Sequence, residues 1–471
     1  MAHTKRRIAV IGAGVSGLGV TRVFLRELQN DIGSQECEFV CFEKRDGIGG
    51  IWLPDTYTFD PTRAPHTPLY DSLMTNLPIP AMVFTGHDPT PGIHLFPHAR
   101  EVIKYLQAFE ERFNLRRFIR YNTVVSRAVW NDRHNQWDVR LHPTDQPENI
   151  ETQAFDHLLI ANGHQSKPHI PKFKGLEDWA DDSRVVTHSA SYREPSPYRG
   201  LRVLIVGGGA SGNDLANEIS KVSKQTIQSI RSLEEEQDGV VNKYGRIDHF
   251  TRDGRVVFES GRQVHVDRVI LATGYEYDFP FLPQIPVRTP EAEANMFYNY
   301  GAHIYPLAQH LFPLLAPFPP HSIAFFGLPN KSILFPIIED QALLAARLMT
   351  GKVKMNFEHE LDVVRARNKE LLAAHNQSPE TVSRIWFAMH GEQVPYREDL
   401  RRLAGETERI PEWTGLFYKN CFVLRDEWVD LMKRGEADSW VKGVGENGIE
   451  DWVKLTYILL ERADRKGLVK R

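Results

Sequence analysis

The residues with the clearest chemical meaning are the glycines of a G-x-G-x-x-G segment near the N-terminus, Gly12, Gly14 and Gly17. In this spacing the first glycine permits a tight turn, the second lets a phosphate approach the backbone, and the third lets a helix pack closely. Ser16 stands where the helix would begin, and free N–H groups at a helix N-terminus favour a phosphate. Glu43, which ends the next apolar segment, is suited to accept hydrogen bonds from ribose hydroxyls. These residues predict a dinucleotide-binding site.

A second segment of the same pattern contains Gly207, Gly209, Ser211 and Gly212. The apolar segment after it ends at Arg231 and Ser232 instead of at a carboxylate. A carboxylate would repel a 2′-phosphate, whereas a guanidinium pairs with it through charge-assisted hydrogen bonds. We therefore expect this second site to prefer NADPH to NADH. The alternative is that Arg231 is a solvated charge at the end of a strand.

Two dinucleotide sites on one chain indicate that one nucleotide delivers hydride and the other accepts it. FAD is the usual resident acceptor. The segment after Glu43 supports FAD in the first site, since Gly49 and Gly50 would admit close backbone approach and Trp52 could cover the ring system. No C-x-x-C or C-x₄-C pair follows the first turn, which argues against a disulfide reductase.

Each glycine turn must be positioned by a strand before it and a helix after it. The apolar patterning predicts the following elements around the two turns: strands over 5–11, 38–42, 201–206 and 226–230, and helices over 18–29 and 213–222. It also predicts strands over 158–161, 269–272 and 322–327, and a helix over 339–349. Continuous apolar strands alternating with helices are typical of a parallel sheet covered on both faces.

The fold class that follows is α/β, with two Rossmann-like dinucleotide-binding domains and the NADPH domain inserted in the FAD domain. We expect the first part of the FAD-binding domain over 1–168, the NADPH-binding domain over 169–318, and the second part of the FAD domain over 319–471. The last part is rich in helices and carries no chemical motif that we can interpret.

The composition of the chain excludes several other classes of protein. Its 471 residues have a formal net charge of −4, which argues against a nucleic-acid-binding protein. The 3 cysteines form neither a disulfide framework nor a metal-type pairing with histidines, so we expect no metal and a reducing, cytoplasmic location. No segment approaches the roughly 20 apolar residues of a membrane-spanning helix.

Further segments resemble the flavin-containing monooxygenase family, the class B flavoprotein monooxygenases, of the type that oxygenates nitrogen or sulfur. The resemblance covers about residues 6–350. Beside the two glycine turns it rests on S-L-M-T-N-L-P (72–78), F-P-H-A-R-E-V-I-K-Y-L (96–106), A-N-G-H-Q-S-K-P-H-I-P (161–171), L-A-T-G-Y (271–275) and L-P-N-K-S-I-L-F-P-I-I-E-D-Q-A (328–342).

This resemblance implies that NADPH reduces FAD, that the reduced flavin captures O₂ as a C4a-hydroperoxide, and that a nucleophilic sulfur or nitrogen of a small molecule is oxygenated. N,N-dimethylaniline monooxygenase activity is the general activity that it suggests. The family match makes Asn76 the catalytic residue, as an amide beside the flavin, although an Asn before Pro78 could also cap a turn. It further implies that Val125 and Asn330 contact FAD and that Thr273 contacts NADP.

The family fingerprint F-x-G-x-x-x-H-x-x-x-(Y/F) is present only in its second half, from His188 to Tyr192. The terminal Tyr, where the Baeyer–Villiger relatives have Trp, favours heteroatom oxygenation. Baeyer–Villiger oxygenation and NADPH oxidase activity on the same scaffold remain alternatives, and a non-catalytic NADPH-sensing protein is an alternative of another class. We expect no nucleic-acid partner and no membrane span, and a homodimer is compatible with the sequence.

Overall fold

The computed structural model describes residues 5–55, 65–181, 183–233, 239–290 and 295–469, and the backbone of 235–236. The chain forms two compact units. Unit 1 comprises Met1–Leu53, Met74–His164 and Tyr277–Arg471, and unit 2 comprises Pro54–Leu73 and Gln165–Glu276.

Both units contain β-strands. The first part of unit 1 contains β1 (Arg6–Ile11), β2 (Cys37–Phe42), β3 (Ile119–Arg120), β4 (Thr123–Asn131), β5 (Gln136–Pro143), β6 (Glu151–Phe155) and β7 (His157–Ile160). Unit 2 contains β8 (Lys167–Pro168), β9 (Val185–His188), β10 (Arg202–Val206), β11 (Gln225–Ser229), β12 (Glu235–Glu236), β13 (Val241–Tyr244), β14 (Ile247–Phe250), β15 (Arg255–Phe258), β16 (Gln263–His265), β17 (Arg268–Leu271) and β18 (Tyr275–Glu276). The last part of unit 1 contains β19 (Tyr298–Asn299), β20 (Ile304–Tyr305), β21 (Leu307–Ala308), β22 (Phe312–Pro313) and β23 (Ile323–Phe325).

The helices lie mainly in unit 1, and most of them follow β23. Before unit 2 the chain forms α1 (Val15–Glu27), α2 (Gln29–Gly33) and α3 (Ala99–Arg112), and unit 2 contains α4 (Leu176–Trp179) and α5 (Ala210–Ile219). After β23 come α6 (Leu334–Met349), α7 (Phe357–Ala374), α8 (Pro379–Ile385), α9 (Gln393–Leu403), α10 (Glu412–Lys419), α11 (Cys421–Lys433), α12 (Ala437–Trp440) and α13 (Ile449–Asp464). No helix in these described ranges has both the length and the apolar character to cross a bilayer.

The central sheet of unit 1 has the strand order β23-β7-β1-β2-β3, and every neighbouring pair in it is parallel. The residues of β1 from Ile8 to Ile11 are buried, which is why this strand is a continuous apolar run. Helix α1 packs against α6 on one side and against β1 and β2 on the other. An antiparallel sheet of β4, β5 and β6 completes this part of the unit.

Unit 2 contains a second sheet of the same kind, with the order β12-β13-β11-β10-β17-β9. Its strands are parallel except at the edge, where β12 runs antiparallel to β13. In both sheets the strand before the glycine turn lies between two parallel neighbours. The α/β fold class with two Rossmann-like sheets, predicted from the repeated strand–turn–helix pattern, is therefore confirmed.

The division into units differs from the expected boundary at residue 318. Residues 277–318 lie in unit 1, because the side chains of β20 to β22, including Ile304 and Phe312, are buried in the same hydrophobic core as β1. Segment 54–73, expected in the first domain, belongs to unit 2. Tyr70 explains this placement. The centroids of its ring and of the Tyr192 ring are 5.4 Å apart, and its hydroxyl donates a hydrogen bond to Asp214 at 2.8 Å.

Helix α6 begins at Leu334 and not at Glu339, where the sequence pattern placed its start. The earlier start places Pro336 at the third residue of the helix. In the first turn of a helix the N–H groups have no intrahelical acceptor, so a proline there removes no hydrogen bond.

Candidate functional site

The site of unit 1 is formed where the parallel strands β1, β7 and β23 end. Strand β1 pairs with β2 on one side and with β7 on the other, so the strand order of the sheet reverses at β1. In open α/β sheets, ligands bind in the crevice outside the carboxyl ends of the strands at such a point. The loops that follow these three strands carry Gly12, Ala161 and Phe326.

The first glycine turn has the close packing that its spacing predicted. Gly12 has φ of +101°, and a Cβ atom there would lie 2.6 Å from the carbonyl oxygen of Ala161. A Cβ on Gly17 would lie 1.8 Å from the carbonyl oxygen of Gly12, so α1 rests directly on the turn. Helix α1 begins at Val15 after Gly14, and no side chain caps its N-terminus. Its first N–H groups therefore remain available for an anion.

Gly14 and Gly50 pack against each other, backbone to backbone, beside the turn. A Cβ on Gly14 would lie 3.4 Å from the Cα of Gly50, and one on Gly50 would lie 3.0 Å from the Cα of Gly14. Arg45 holds the second segment by donating to the carbonyl oxygens of Gly50 and Leu53, at 3.2 and 2.9 Å. Trp52 lies at the end of a short 3₁₀ helix and packs against the core.

Glu43 is buried, with 5% of its surface exposed, directly after β2. Its Oε2 accepts the N–H of Ala13 in the glycine turn at 2.7 Å, and its Oε1 accepts the N–H of Arg45 at 2.9 Å. The carboxylate therefore lies beside the glycine turn and also holds it in place through these hydrogen bonds. Each carboxylate oxygen accepts more than one hydrogen bond, so acceptor capacity remains for a ribose.

The loop after β23 contacts the first turn of α1. A Cβ on Gly327 would lie 2.3 Å from Oγ of Ser16, so the two segments touch. Three residues later, Asn330 donates through Nδ2 to the hydroxyl of Tyr277 at 3.3 Å. The structure therefore brings Asn330 to the same edge of the sheet as the glycine turn. Tyr277 stands two residues after L-A-T-G-Y, in an aromatic stretch for which the sequence predicted packing and no role in a site.

Asn76 lies in a segment of unit 1 that runs beside residues 95–98. The N–H of Thr75 donates to Pro97 at 3.0 Å, and that of Ile79 donates to Leu95 at 2.9 Å. Within the described residues the amide of Asn76 has no hydrogen-bond partner. The local turn is instead closed by Oγ1 of Thr75, which donates to the carbonyl oxygen of Leu77 at 2.9 Å. The turn-capping alternative for Asn76 is therefore not the arrangement that is found.

The C-terminal helices, which carried no motif, support the segment that contains Asn76. Ile79 and Phe96 are buried in one hydrophobic cluster with Trp428 of α11 and Trp452 of α13. Residues more than 300 positions apart in sequence thus form one core, which explains why their role could not be seen in local patterns. Val125, expected to contact FAD, lies on β4 with 9% of its surface exposed and packs in the main core of unit 1.

The glycine turn of unit 2 repeats the packing of the first. Gly207 has φ of +131°, and a Cβ there would lie 2.3 Å from the carbonyl oxygen of Ala272. A Cβ on Gly212 would lie 2.2 Å from the carbonyl oxygen of Gly207. Gly209 differs, because a Cβ there would meet no protein atom within 4 Å. The middle glycine therefore opens onto free space, and exposed Ser211 follows it in the first turn of α5.

Arg231 and Ser232 are both exposed and lie two and three residues after the end of β11. Within the described ranges the guanidinium of Arg231 has no ion-pair or hydrogen-bond partner. Thr273 follows β17, and its hydroxyl donates to the carbonyl oxygen of His169 at 2.5 Å. Of these predicted NADP contacts, Arg231 therefore has a guanidinium that no described residue binds. The hydroxyl of Thr273, by contrast, already donates a hydrogen bond within unit 2.

The fingerprint residues His188 and Tyr192 connect parts of unit 2. Nδ1 of His188 accepts the N–H of Ala190 at 3.1 Å, which leaves the ring proton on Nε2 to donate to the carbonyl oxygen of Gly274 at 3.1 Å. The hydroxyl of buried Tyr192 donates to Glu218 of α5 at 2.7 Å. The two residues tie the end of β9 to the β17 loop and to the helix that follows the glycine turn.

Four buried histidines predict that the protein loses stability in mild acid. Burial lowers the pKa of His157 and His188 to about 4 and that of His303 and His310 to about 3. The unfolded chain, with ordinary pKa values near 6.5, therefore takes up protons first as the pH falls. Each histidine lowers the free energy of unfolding by up to about 1.4 kcal/mol per pH unit below that value.

We expect the thermal unfolding midpoint to fall by about 5 °C or more between pH 7.5 and pH 5.5, measured by differential scanning fluorimetry. Replacing His157 by Asn should reduce the slope of this dependence. Replacing His134, which is exposed, by Asn should leave the slope unchanged. An unfolding midpoint that does not change over this pH range would contradict the assignment.

The two parallel sheets, each with a glycine turn at the carboxyl end of its central strand, define a protein with two dinucleotide-binding folds. A family model described as flavin-binding monooxygenase-like matches residues 5–234 and 237–405. The chain belongs to this family. It is therefore a flavin-containing monooxygenase, and the members of the family bind FAD and depend on NADPH.

Relatives in Arabidopsis thaliana agree with the family match. The flavin-containing monooxygenase FMO GS-OX3 is 30% identical over 461 residues, which cover 91% of this chain and 92% of that protein. Flavin-containing monooxygenase FMO GS-OX-like 2 is 32% identical over 383 residues, or 76% of this chain and 77% of that protein.

Solved structures share the fold. S-allyl-L-cysteine S-oxygenase from Allium sativum superposes with a TM-score of 0.76 at 27% identity, covering 99% of both chains. Tmm from Pelagibacter sp. strain HTCC7211 has a TM-score of 0.68 at 21% identity, over 90% of this chain and 91% of that chain. Cyclohexanone monooxygenase has a TM-score of 0.57 at 16% identity, over 85% of this chain and 98% of that chain, and this similarity concerns the fold alone.

Proposed function

We propose that this enzyme uses FAD, NADPH and O₂ to oxygenate the thioether sulfur of a small molecule. Unit 1 would hold FAD and unit 2 would hold NADPH. The single observation that carries the proposal is that each unit has a glycine turn at the N-terminus of a helix, and that the middle glycine of each turn faces no side chain within 4 Å. When bound, the flavin supplies the oxygen activation, and the residues of the chain bind and orient the reactants.

The fit of unit 1 to FAD rests on its donor set. The N-terminus of α1 offers unpaired N–H groups for the pyrophosphate, and Glu43 offers acceptor capacity for ribose hydroxyls. Gly14 and Gly50 present no side chains beside the turn, so a ligand can approach the backbone closely there. Trp52 and Asn330 are the candidates for the ring system, and Val125 would act from the core behind it.

The fit of unit 2 to NADPH rests on charge. The turn from Gly207 to Gly212 provides the same N–H groups, with no acidic residue in the first turn of α5. Arg231 would bind the 2′-phosphate together with the hydroxyl of Ser232. Thr273 is a weaker candidate, because its hydroxyl is already bonded to His169.

Sulfur is favoured over nitrogen as the atom oxygenated. The Allium sativum enzyme, which matches this chain over its whole length at 27% identity, is an S-oxygenase of S-allyl-L-cysteine. Asn76 would hydrogen-bond the reacting oxygen or the substrate through its neutral amide, and its amide has no competing partner in the described chain. An amide is not a nucleophile, so it would not compete with the sulfur for the oxygen.

The test is product analysis with purified protein, FAD, NADPH and oxygen. An alkyl cysteine thioether should yield its sulfoxide in near-stoichiometric ratio to the NADPH consumed, whereas N,N-dimethylaniline should react more slowly. The variant Asn76→Leu should keep its FAD but give far less sulfoxide per NADPH. Turnover of a ketone but no thioether would favour Baeyer–Villiger chemistry, and peroxide without product would favour an NADPH oxidase. Protein that stays colourless after FAD is added would support an NADPH-sensing role instead.

Arg231 gives a prediction about coenzyme preference. In Arg231→Glu we expect the KM for NADPH to rise about 10–100-fold, because a charge-assisted hydrogen bond is replaced by repulsion of the 2′-phosphate. The KM for NADH should change by less than about 3-fold, since NADH has no 2′-phosphate. Steady-state kinetics with both coenzymes measure the ratio of the KM for NADPH to the KM for NADH.

The control for this prediction is Arg199→Glu, which makes the same change of charge at another exposed position of unit 2. It should leave the NADPH/NADH ratio as in the unchanged protein. An unaltered ratio in Arg231→Glu would mean that the 2′-phosphate binds elsewhere.

A further inference from the structure

Tyr277 is a buried residue at the carboxyl edge of the sheet in unit 1. It is 5% exposed, and its N–H donates to the carbonyl oxygen of Gly301 at 2.7 Å. Its ring contacts the rings of His164 and Phe387, with centroids 5.1 and 5.2 Å away. These contacts fix the ring and direct its hydroxyl to the loop after β23, where Asn330 lies.

The hydroxyl of Tyr277 makes two hydrogen bonds to this loop, and they have different roles. It donates its proton to the carbonyl oxygen of Leu328 at 2.7 Å. Because the proton is committed, the oxygen can only accept from Asn330, whose Nδ2 lies at 3.3 Å. Burial raises the pKa of Tyr277 above its ordinary value, so the hydroxyl keeps its proton at neutral pH.

This arrangement selects one of the two orientations of the Asn330 amide. If the amide were rotated by half a turn, Oδ1 would face the lone pairs of the Tyr277 oxygen and the bond would be lost. The backbone of Asn330 is held independently, since its N–H donates to Phe387 at 2.8 Å and its carbonyl accepts from Met389 at 3.0 Å. Tyr277 therefore controls the orientation of the amide and leaves the course of the chain unaffected.

We propose that Tyr277 is a positioning residue, which through its hydroxyl holds Oδ1 of Asn330 as a fixed hydrogen-bond acceptor for an N–H group of the flavin ring. This inference rests on the proposed function, because it assumes that FAD binds at the edge of the sheet in unit 1. Its ligand chemistry is specific, since the selected orientation places Oδ1, an acceptor, on the side of Asn330 away from Tyr277.

A double-mutant cycle tests whether Tyr277 acts through Asn330. Tyr277→Phe keeps the ring and removes the hydroxyl, and we expect FAD to bind about 3–10-fold more weakly, as for the loss of one oriented hydrogen bond. The visible absorption bands of the bound flavin should shift as well. In the Asn330→Ala background, the further change Tyr277→Phe should alter neither the Kd for FAD nor the spectrum.

The control is Tyr105→Phe, which removes another buried hydroxyl of unit 1. Tyr105 accepts the N–H of Phe84 at 2.7 Å and donates to the carbonyl oxygen of His87 at 3.1 Å. It should lower the unfolding midpoint as Tyr277→Phe does, with the Kd for FAD and the spectrum unchanged.

Additive effects of the two substitutions, or a Tyr277→Phe protein with unchanged FAD affinity and spectrum, would overturn the inference and leave the proposed function standing. A wild-type protein that binds no FAD would overturn both.

Discussion

The variant Gly14→Val is expected to be folded and colourless. Gly14 has φ of −73° and ψ of −169°, which any residue adopts, so the substitution introduces no backbone strain. The Cβ would contact Gly50 at 3.4 Å, an ordinary van der Waals distance, and the branched methyl groups would then cover the backbone of the turn. We expect the affinity for FAD to fall by at least about 100-fold, since a pyrophosphate could no longer approach the backbone.

Flavin content after purification, measured by absorbance, and titration with FAD test this expectation. Gly33→Val is the matched control, because a Cβ on Gly33 meets no atom within 4 Å and the residue lies in α2, outside the candidate site. Both variants should have unfolding midpoints close to each other in the absence of FAD. A Gly14→Val protein that is as yellow as the wild type would refute the location of the FAD site.

The variant Gly209→Val should separate the two nucleotide sites. Gly209 has φ of −78° and ψ of −178°, and its Cβ would meet no protein atom within 4 Å. The folded protein therefore accommodates the valine side chain without a clash. Any large effect on reduction by NADPH must then come from a ligand that the side chain displaces. We expect the variant to keep its FAD and to lose reduction by NADPH, with kcat/KM lower by at least about 100-fold.

Anaerobic reduction of the bound flavin, followed by absorbance, measures this effect. Chemical reduction by dithionite should remain as in the wild type, because the flavin itself is unaffected. Gly239→Val, at an exposed position of unit 2 where a Cβ comes no closer than 3.5 Å to another atom, is the control. Normal reduction of Gly209→Val by NADPH would show that the pyrophosphate does not bind at this turn.

The local parts of both candidate sites could be predicted from the sequence. The glycine spacing requires close packing between turn and helix, and the contacts of Gly17 on Gly12 and of Gly212 on Gly207 follow directly from it. Buried parallel strands are continuous apolar runs, so β1 and β10 were found to within one residue of their observed starts. These features depend on residues that are neighbours in the chain.

Contacts between distant residues decided the rest. The boundary at Glu276 depends on strands β19 to β23 packing in the core of unit 1. The same holds for Tyr277 beside Asn330, 53 positions apart, and for Trp452 beneath the segment of Asn76.

The amino-acid sequence by itself determined the class of the protein, two nucleotide-binding folds with an acidic residue after one turn and a basic residue after the other. Glycine conformation, apolar periodicity and charge are local properties, and each can be recognised within a few tens of residues. Only the tertiary structure decided that Glu43 also bonds the turn, that Thr273 is already engaged, and that Arg231 is uncommitted in the described chain. Hydrogen bonding is a property of pairs of groups, and which groups meet depends on the packing of the whole unit.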